Sequence, residues 1–221
     1  MTSPNMVAIV LTLNEEEHLP HCLTSVQGLG ARIIVLDSGS TDRTVEIAKA
    51  HGAEVVHSPF CGYASQRNEG LRVSGDAEWV LFLDADERLT GHSRAEILER
   101  ICSAGDDVAG FWLPRRNIAF GGVLRGGGWW PDCQARLIRL GRGQYDATRE
   151  VHEVVLFEGQ TESLREPFVH LNYATYREFV LKQRAYTVRN ARQSGVETPR
   201  RRSLPTSIPR RPLRQPASCR L

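Results

Sequence analysis

The first half of the chain alternates short apolar runs with segments of helical periodicity. The apolar runs are four to seven residues long, as buried strands are, and they are Val7–Leu13, Ile33–Leu36, Ala53–Val56 and Trp79–Leu83. Between the first two runs, apolar residues recur at helical spacing and predict a helix over residues 16–27. A second helix is predicted over Tyr63–Val73. This alternation is typical of βαβ units and predicts an α/β fold with a Rossmann-like, mostly parallel sheet flanked by helices.

The pattern changes after about residue 110. Phe111–Pro114, Leu137–Leu140 and Val151–Phe157 predict strands of a smaller mixed layer, and Ala174–Ala191 shows near-helical register. We therefore expect residues 1–110 to form a nucleotide-binding half and residues 111–198 to complete the same domain.

Composition and charge set residues 199–221 apart. They carry seven Arg and five Pro with no acidic residue, which predicts a disordered basic tail. The whole chain has a net charge of +2, so the other 198 residues sum to −5. The negative net charge of residues 1–198 argues against nucleic-acid binding. The basic residues 199–221 could instead bind an anionic membrane surface.

Carboxylates follow the predicted strands. Asp84 and Asp86 come directly after the fourth apolar run and point the same way if the chain stays extended. Two converging carboxylates suit Mg²⁺ or Mn²⁺, although an Asp that caps a following helix is an equal alternative. Asp37 ends the second run, and Asn14-Glu15-Glu16 follows the first. Because ligands bind beyond the carboxyl ends of such strands, these groups are expected to line one rim.

Neither a Walker-type phosphate loop nor a dinucleotide-binding glycine motif occurs in the sequence. Phosphates would therefore have to be held by a metal and by Arg side chains. Asp37 suits a role as hydrogen-bond acceptor for the base or ribose of a nucleotide. The alternative is an Asp that forms the turn before Gly39. The five scattered cysteines lack a C-x-x-C pair, so no zinc site is predicted.

Four motifs, in this order, resemble the family 2 glycosyltransferases, which are inverting enzymes of the GT-A fold. The motifs are Thr12-Leu13-Asn14-Glu15-Glu16, Asp37-Ser38-Gly39-Ser40-Thr41-Asp42, Gln66-Arg67-Asn68 and Asp84-Ala85-Asp86-Glu87. Within that family the chain resembles the bacterial lipopolysaccharide-core β-glucosyltransferases. That narrower resemblance rests on Gly128-Trp129-Trp130-Pro131-Asp132, Gln134-Ala135-Arg136-Leu137, Val151-His152-Glu153 and His170.

The resemblance implies roles on the donor side. Asp37 would accept a hydrogen bond from the uracil imide, with Asn14 and Glu16 against the nucleoside. Asp84 would meet the ribose, and Asp86 the divalent cation on the diphosphate. Gln66 and Arg67 would contact the nucleotide or sugar, unless Arg67 lies on a solvated helix face.

The resemblance also implies a general base and groups near the acceptor. Glu153 is the first candidate for the base, Asp132 the second and His152 the third, with a merely polar strand face as the alternative for Glu153. Gln134 and Arg136 would hold the acceptor or the diphosphate. His170 would be a further metal or phosphate ligand, unless it is structural.

The expected activity is transfer of a sugar, with glucose the first candidate, from a UDP-sugar to a lipid-linked glycan such as the lipopolysaccharide inner core. Alternatives are a catalytically impaired sugar-nucleotide-binding protein and a nucleotidyltransferase that forms an NDP-sugar. The apolar run at the N-terminus is too short for a signal peptide, and no run approaches the roughly 20 residues of a spanning helix. A cytoplasmic protein, or one peripheral on the inner face of the membrane, is therefore expected.

Overall fold

The computed structural model describes residues 5–148, 154–177, 179–180 and 183–184. Strands and helices alternate in the first half, as the apolar pattern predicts. The elements in chain order are β1 (Met6–Thr12), α1 (Leu19–Gln27), β2 (Arg32–Asp37), α2 (Thr44–Ala50), β3 (Glu54–His57), α3 (Tyr63–Val73), β4 (Trp79–Asp84), β5 (Glu87–Arg88), α4 (Gly91–Ser103), β6 (Val108–Ala119), β7 (Gly122–Val123), β8 (Asp132–Arg139), β9 (Gly143–Tyr145), β10 (Val155–Phe157), β11 (Gln160–Ser163) and β12 (Phe168–Tyr173).

A ten-stranded sheet forms the centre of the fold. Its order is β3-β2-β1-β4-β8-β6-β12-β5, and β7 and β11 also pair with β6. Strands β1 to β4 are parallel, whereas β8 lies antiparallel to both β4 and β6. The second half of the chain thus extends the parallel sheet with mixed strands, and β9 pairs with β10 as a separate ribbon.

Side-chain alternation divides the core between the two faces of the sheet. In β1, Ala8 and Val10 pack with α1, α2 and α4, whereas Val7 and Ile9 face α3 and the β9–β10 ribbon. Because both faces of β1 and β4 are covered, these two strands are almost entirely apolar and are recognisable as continuous runs, whereas the edge strand β3 carries Glu54 and His57.

Three features differ from the pattern-based expectation. Helix α4 was not anticipated, because its sequence is largely polar; its start is marked by Thr90 and Ser93, which form a reciprocal capping box. Strand β6 runs on through Pro114 to Ala119 instead of stopping. The sequence also predicts that His170 follows a strand, but His170 lies within β12 itself.

Other expectations fall partly outside the described residues. These are the start of the strand predicted over Val151–Phe157, most of the helix over Ala174–Ala191, and the whole of the tail at 199–221. Within the part of the chain that the structure describes, no helix has the length and apolar character needed to cross a membrane.

Candidate active site

The carboxyl ends of β1, β2 and β4 lie side by side. In the register of the sheet, Thr12 pairs with Asp37 and Leu11 with Asp84, which confirms that these strand ends share one rim. A cavity of about 390 Å³ opens there, and its lining includes Gln66, Asp84, Asp86, Arg115 and His170. The fold therefore brings polar and charged side chains from five separate elements and loops to one place.

Asn14 and Glu16 join the loops that follow β1 and β2. The Asn14 Oδ1 atom accepts a hydrogen bond from the Thr41 amide at 2.8 Å, and the Asn14 amide donates to the Ser40 hydroxyl at 2.8 Å. The Glu16 carboxylate accepts from the Arg43 amide at 3.1 Å. Both side chains lie exposed at the rim, where they brace the two loops; their contact with a nucleoside stays a prediction.

Asp37 is buried at 2% exposure and organises the turn after β2. One carboxylate oxygen accepts from the hydroxyls of Thr12 and Ser40, and the other from the amides of Gly39 and Ser40, at 2.5–3.0 Å. Burial alone would raise the pKa of Asp37, but these hydrogen bonds outweigh it and lower the pKa. Asp37 therefore stabilises the turn before Ser40, as the alternative interpretation of this residue predicts. A hydrogen bond from the uracil imide to Asp37 stays a prediction.

Gln66 and Arg67 follow one another near the start of α3, and both are buried. Gln66 Nε2 donates to the Ser38 hydroxyl and to the Ser58 carbonyl, both at 3.0 Å, and so links the ends of β2 and β3. Arg67 donates to Asp84 at 3.0 Å, so its position on a solvated helix face is ruled out. Its guanidinium carbon lies 5.6 Å from the ring centre of Phe82.

A second arginine, Arg136 on β8, also contacts Asp84. Its Nη2 donates to Asp84 and to Glu87, both at 2.7 Å. Burial would raise the pKa of Asp84, but the guanidinium groups of Arg136 and Arg67 hold it well below its usual range. Asp84 is therefore ionised and fixed between two buried cations.

Glu87 is fully buried behind Asp84, and one of its carboxylate oxygens accepts from the Asp84 amide at 3.0 Å. Its burial raises its pKa, and the nearby Asp84 carboxylate adds to this, against the lowering influence of Arg136 and Arg115. Glu87 belongs to the Asp84-Ala85-Asp86-Glu87 motif, but the sequence predicts no role for it.

Asp132 opens β8 and is enclosed by donors. Arg115 donates to its Oδ2 atom from Nε at 2.9 Å and from Nη2 at 2.8 Å. Asn117 Nδ2 donates to the same oxygen at 2.8 Å. Gln134, two residues along the strand, donates to Oδ1 at 2.6 Å. Because both carboxylate oxygens already accept hydrogen bonds from neighbouring side chains, the geometry favours a structural role for Asp132 over that of a general base.

Asp86 and His170 meet at the cavity, where their Oδ2 and Nε2 atoms lie 3.3 Å apart. Two neighbouring ligands of Mg²⁺ or Mn²⁺, each about 2.1 Å from the ion, would be separated by about 3 Å. The pair therefore fits two positions around such a cation. Among the described residues no group of three or more His, Cys, Asp or Glu could hold a metal, so the remaining ligands would come from diphosphate or water.

Arg115 and Asn117 are site residues that sequence reasoning missed. Both lie on the part of β6 beyond Pro114, two residues apart, and therefore face the same side of the sheet. Extending the predicted strand past the proline would have found them. His152 and Glu153, candidates for the base, lie outside the described residues.

The sequence of the chain is similar to those of known glycosyltransferases. The family model described as Glycosyl transferase family 2 matches residues 7–166. The chain is 32% identical over 205 residues to the lipopolysaccharide core biosynthesis glycosyltransferase LpsC of Rhizobium meliloti, covering 88% of this chain and 73% of LpsC. It is 36% identical over 100 residues to an uncharacterized glycosyltransferase of Rickettsia bellii, covering 45% of this chain and 34% of that protein.

A solved structure supports the same fold. S. aureus TarS 1–349 in complex with UDP superposes with a TM-score of 0.54 at 15% sequence identity, covering 84% of this chain and 65% of that one. This likeness confirms the predicted GT-A fold.

Proposed function

The chain belongs to glycosyl transferase family 2, and we propose that it transfers a sugar from a UDP-sugar to a glycan acceptor, with inversion at the anomeric carbon and with Mg²⁺ or Mn²⁺ as cofactor. The observation that carries the proposal is the convergence of Asp84, Asp86 and His170 on one cavity at the ends of parallel strands. Ligands of open α/β sheets bind at this position.

Asp86 and His170 are the residues that would hold the cation. Bound there, it would offset the negative charge that develops on the departing diphosphate. The imidazole nitrogen favours Mn²⁺ over Mg²⁺, which prefers oxygen ligands. Asp84 stays ionised beside Arg67 and Arg136 and is fixed to accept hydrogen bonds from the ribose.

The acceptor hydroxyl must lose a proton as it attacks the anomeric carbon. Glu153 is our proposed general base, and Asp132, held by Arg115, is the weaker candidate. Glu153→Gln should leave the affinity for UDP unchanged while lowering kcat by about 100-fold or more, the usual contribution of a general base. A rate close to that of the original enzyme would remove Glu153 from the mechanism.

Homology to LpsC supports a lipid-linked acceptor of the lipopolysaccharide inner-core class, and glucose is the first candidate for the donor sugar.

Such an acceptor lies on a membrane, so we propose peripheral contact of a cytoplasmic enzyme with anionic lipid. Support comes from the hairpin between β6 and β7, where Phe120 and Val123 are 53% and 45% exposed. Arg116 and Arg125 lie exposed on the same segment, and residues 108–131 contain no acid.

The activity is tested by incubating the full chain with UDP-glucose and other UDP-sugars, Mn²⁺ and inner-core acceptors that lack the terminal sugar. We expect transfer from one UDP-sugar to yield a glycoside of inverted anomeric configuration, read by NMR coupling constants. A retained configuration would contradict the inverting mechanism. Mn²⁺-dependent UDP binding without transfer to any acceptor would favour the impaired-enzyme alternative.

A further inference from the structure

Asn117 is a fully buried amide at the centre of the site. It lies on β6 directly opposite His170 on β12, and its Oδ1 atom is 2.7 Å from His170 Nδ1. Its Nδ2 atom is 2.8 Å from Asp132 Oδ2 and 3.3 Å from the Trp129 carbonyl. A single side chain thus connects Asp132 to the imidazole that faces Asp86.

The surroundings allow one orientation of this amide. The Trp129 carbonyl can only accept hydrogen bonds, and the Oδ2 atom of Asp132 already accepts two from Arg115, so it faces Asn117 as an acceptor as well. Both acceptors must therefore face the NH₂ group of Asn117. The Oδ1 atom is left facing His170, and an oxygen at 2.7 Å requires a proton on Nδ1.

This proton determines the state of the other ring nitrogen. A neutral imidazole that carries its proton on Nδ1 has a free lone pair on Nε2, and here Nε2 faces the Asp86 carboxylate at 3.3 Å. Two lone pairs at this distance repel unless a cation lies between them. Hydrogen bonds that fix the tautomer of a metal-binding histidine are a common feature of metal sites.

We propose that Asn117, oriented by Asp132, is a positioning residue that holds His170 as the Nδ1–H tautomer and presents Nε2 to the divalent cation shared with Asp86. The inference rests on the proposed metal-dependent function, but the tautomer itself is a property of the metal-free protein.

The direct test is a long-range ¹H–¹⁵N correlation spectrum of the full chain labelled at histidine, recorded without metal at mildly alkaline pH. The His170 signals, assigned by comparison with His170→Ala, should show a protonated Nδ1 and an unprotonated Nε2. A proton on Nε2 would overturn the inference. This spectrum needs neither metal nor sugar nucleotide, so its outcome is independent of whether the proposed function holds.

A second test measures the affinity for Mn²⁺ in the presence of UDP by calorimetry. Asn117→Leu should weaken it by about 10- to 100-fold, the usual effect of losing such a partner. In a His170→Ala background the same substitution should have no further effect, because Asn117 acts through the imidazole. Equal losses in both backgrounds would show that Asn117 has only a structural role.

Asn68→Leu is the matched control. Asn68 exchanges two hydrogen bonds with the backbone of Tyr145, each at 2.9 Å, away from His170. We expect this variant to lose stability but to keep its affinity for Mn²⁺.

A second variant, Asn117→Asp, is available if Asn117→Leu does not fold, because it keeps an acceptor for His170 Nδ1. Its spectrum should still show the Nδ1–H tautomer. A proton on Nε2 in this variant would contradict the role of the acceptor.

Discussion

At the scale of single residues, the site depends on buried arginines that pair with carboxylates. Arg136 contacts both Asp84 and Glu87, and its side chain is 4% exposed. Removing one partner of a buried ion pair leaves an uncompensated charge, which typically costs 3–5 kcal/mol. Arg136→Met should therefore destabilise the protein by about 3 kcal/mol, measured by urea denaturation, since Asp84 is still partly reached by solvent.

Arg72→Met is the control for this prediction. Arg72 also pairs with a carboxylate, that of Glu69, but its side chain is 70% exposed. Exposed pairs contribute about 0–1 kcal/mol, so this variant should unfold at nearly the same urea concentration as the original chain. Equal losses of unfolding free energy in the two variants would show that the buried pairing of Arg136 stabilises the protein no more than an exposed ion pair does.

Asp37 gives a prediction about pH. Its folded pKa lies below the usual value of 3.8, so the unfolded chain takes up this proton more readily than the folded chain. Protonation therefore favours unfolding, and the contribution of Asp37 to stability is present above about pH 4 and lost as the pH falls toward the folded pKa. Asp37→Asn should lower Tm at pH 6, and the difference in Tm should shrink below pH 4. A constant difference would contradict the low pKa.

The candidate site could be predicted residue by residue only in part. Asp84 and Asp86 follow an apolar run, which makes them visible in the sequence, whereas Gln134 and Arg136 were identified only from the family resemblance. The contacts of Arg115 and Asn117 with Asp132 were missed because the pairing of β6 with β8 brings together residues from separate parts of the chain. Pairing between distant strands leaves no local pattern.

At the scale of elements, helix α3 packs closely against the sheet through Gly70. A Cβ at this position would lie 2.7 Å from the ring of buried Phe82 and 3.1 Å from a methyl of Ile9. Overpacking of this kind costs about 1–3 kcal/mol and outweighs the gain of up to about 1 kcal/mol from replacing a helical glycine. Gly70→Ala should lower Tm by several degrees in a thermal melt.

Gly91→Ala provides the comparison. Gly91 is the first residue of α4, and nothing lies within 4 Å of a Cβ placed there. Without a clash, this substitution should leave Tm unchanged or raise it slightly. A stable Gly70→Ala variant would mean that α3 lies farther from the sheet than the structure shows.

The hairpin between β6 and β7 gives a prediction about membranes. Phe120 has a φ of 53°, which asparagine tolerates better than phenylalanine, so Phe120→Asn should not strain the fold. Combined with Val123→Ser, it should reduce sedimentation with phosphatidylglycerol vesicles several-fold. Leu156→Ser, which changes an equally exposed residue on β10, should have no effect. Full binding by the double variant would reassign membrane contact to another surface, such as residues 199–221.

The elements themselves were predictable to different degrees. Strands β1 and β4 were found because both of their faces are buried, so that nearly every position is apolar, whereas β2 and β3 were found from the short apolar segments within them. Helix α4 was missed because its buried side rests on few residues, chiefly Ile97 and Ile101. Strand β6 was cut short at Pro114, since proline ordinarily ends a strand.

At the scale of the whole molecule, the two halves of the chain contribute different walls of one cavity. Residues 1–110 supply the parallel strands with Asp84 and Asp86, and the second half adds Arg115 and His170 from β6 and β12. We propose that the first half binds the nucleotide and that residues 111–198 complete the site and receive the acceptor. Because one sheet contains strands from both halves, we propose that the halves belong to one domain.

The central claim is a cation-dependent site for a uridine diphosphate at the end of β4. Calorimetric titration of UDP into the full chain, with and without Mn²⁺ and with ADP and GDP as controls, tests it most directly. We predict binding that needs Mn²⁺, prefers UDP and is lost in Asp86→Ala. Equal binding of UDP with and without Mn²⁺, or no binding of any nucleotide, would contradict the account.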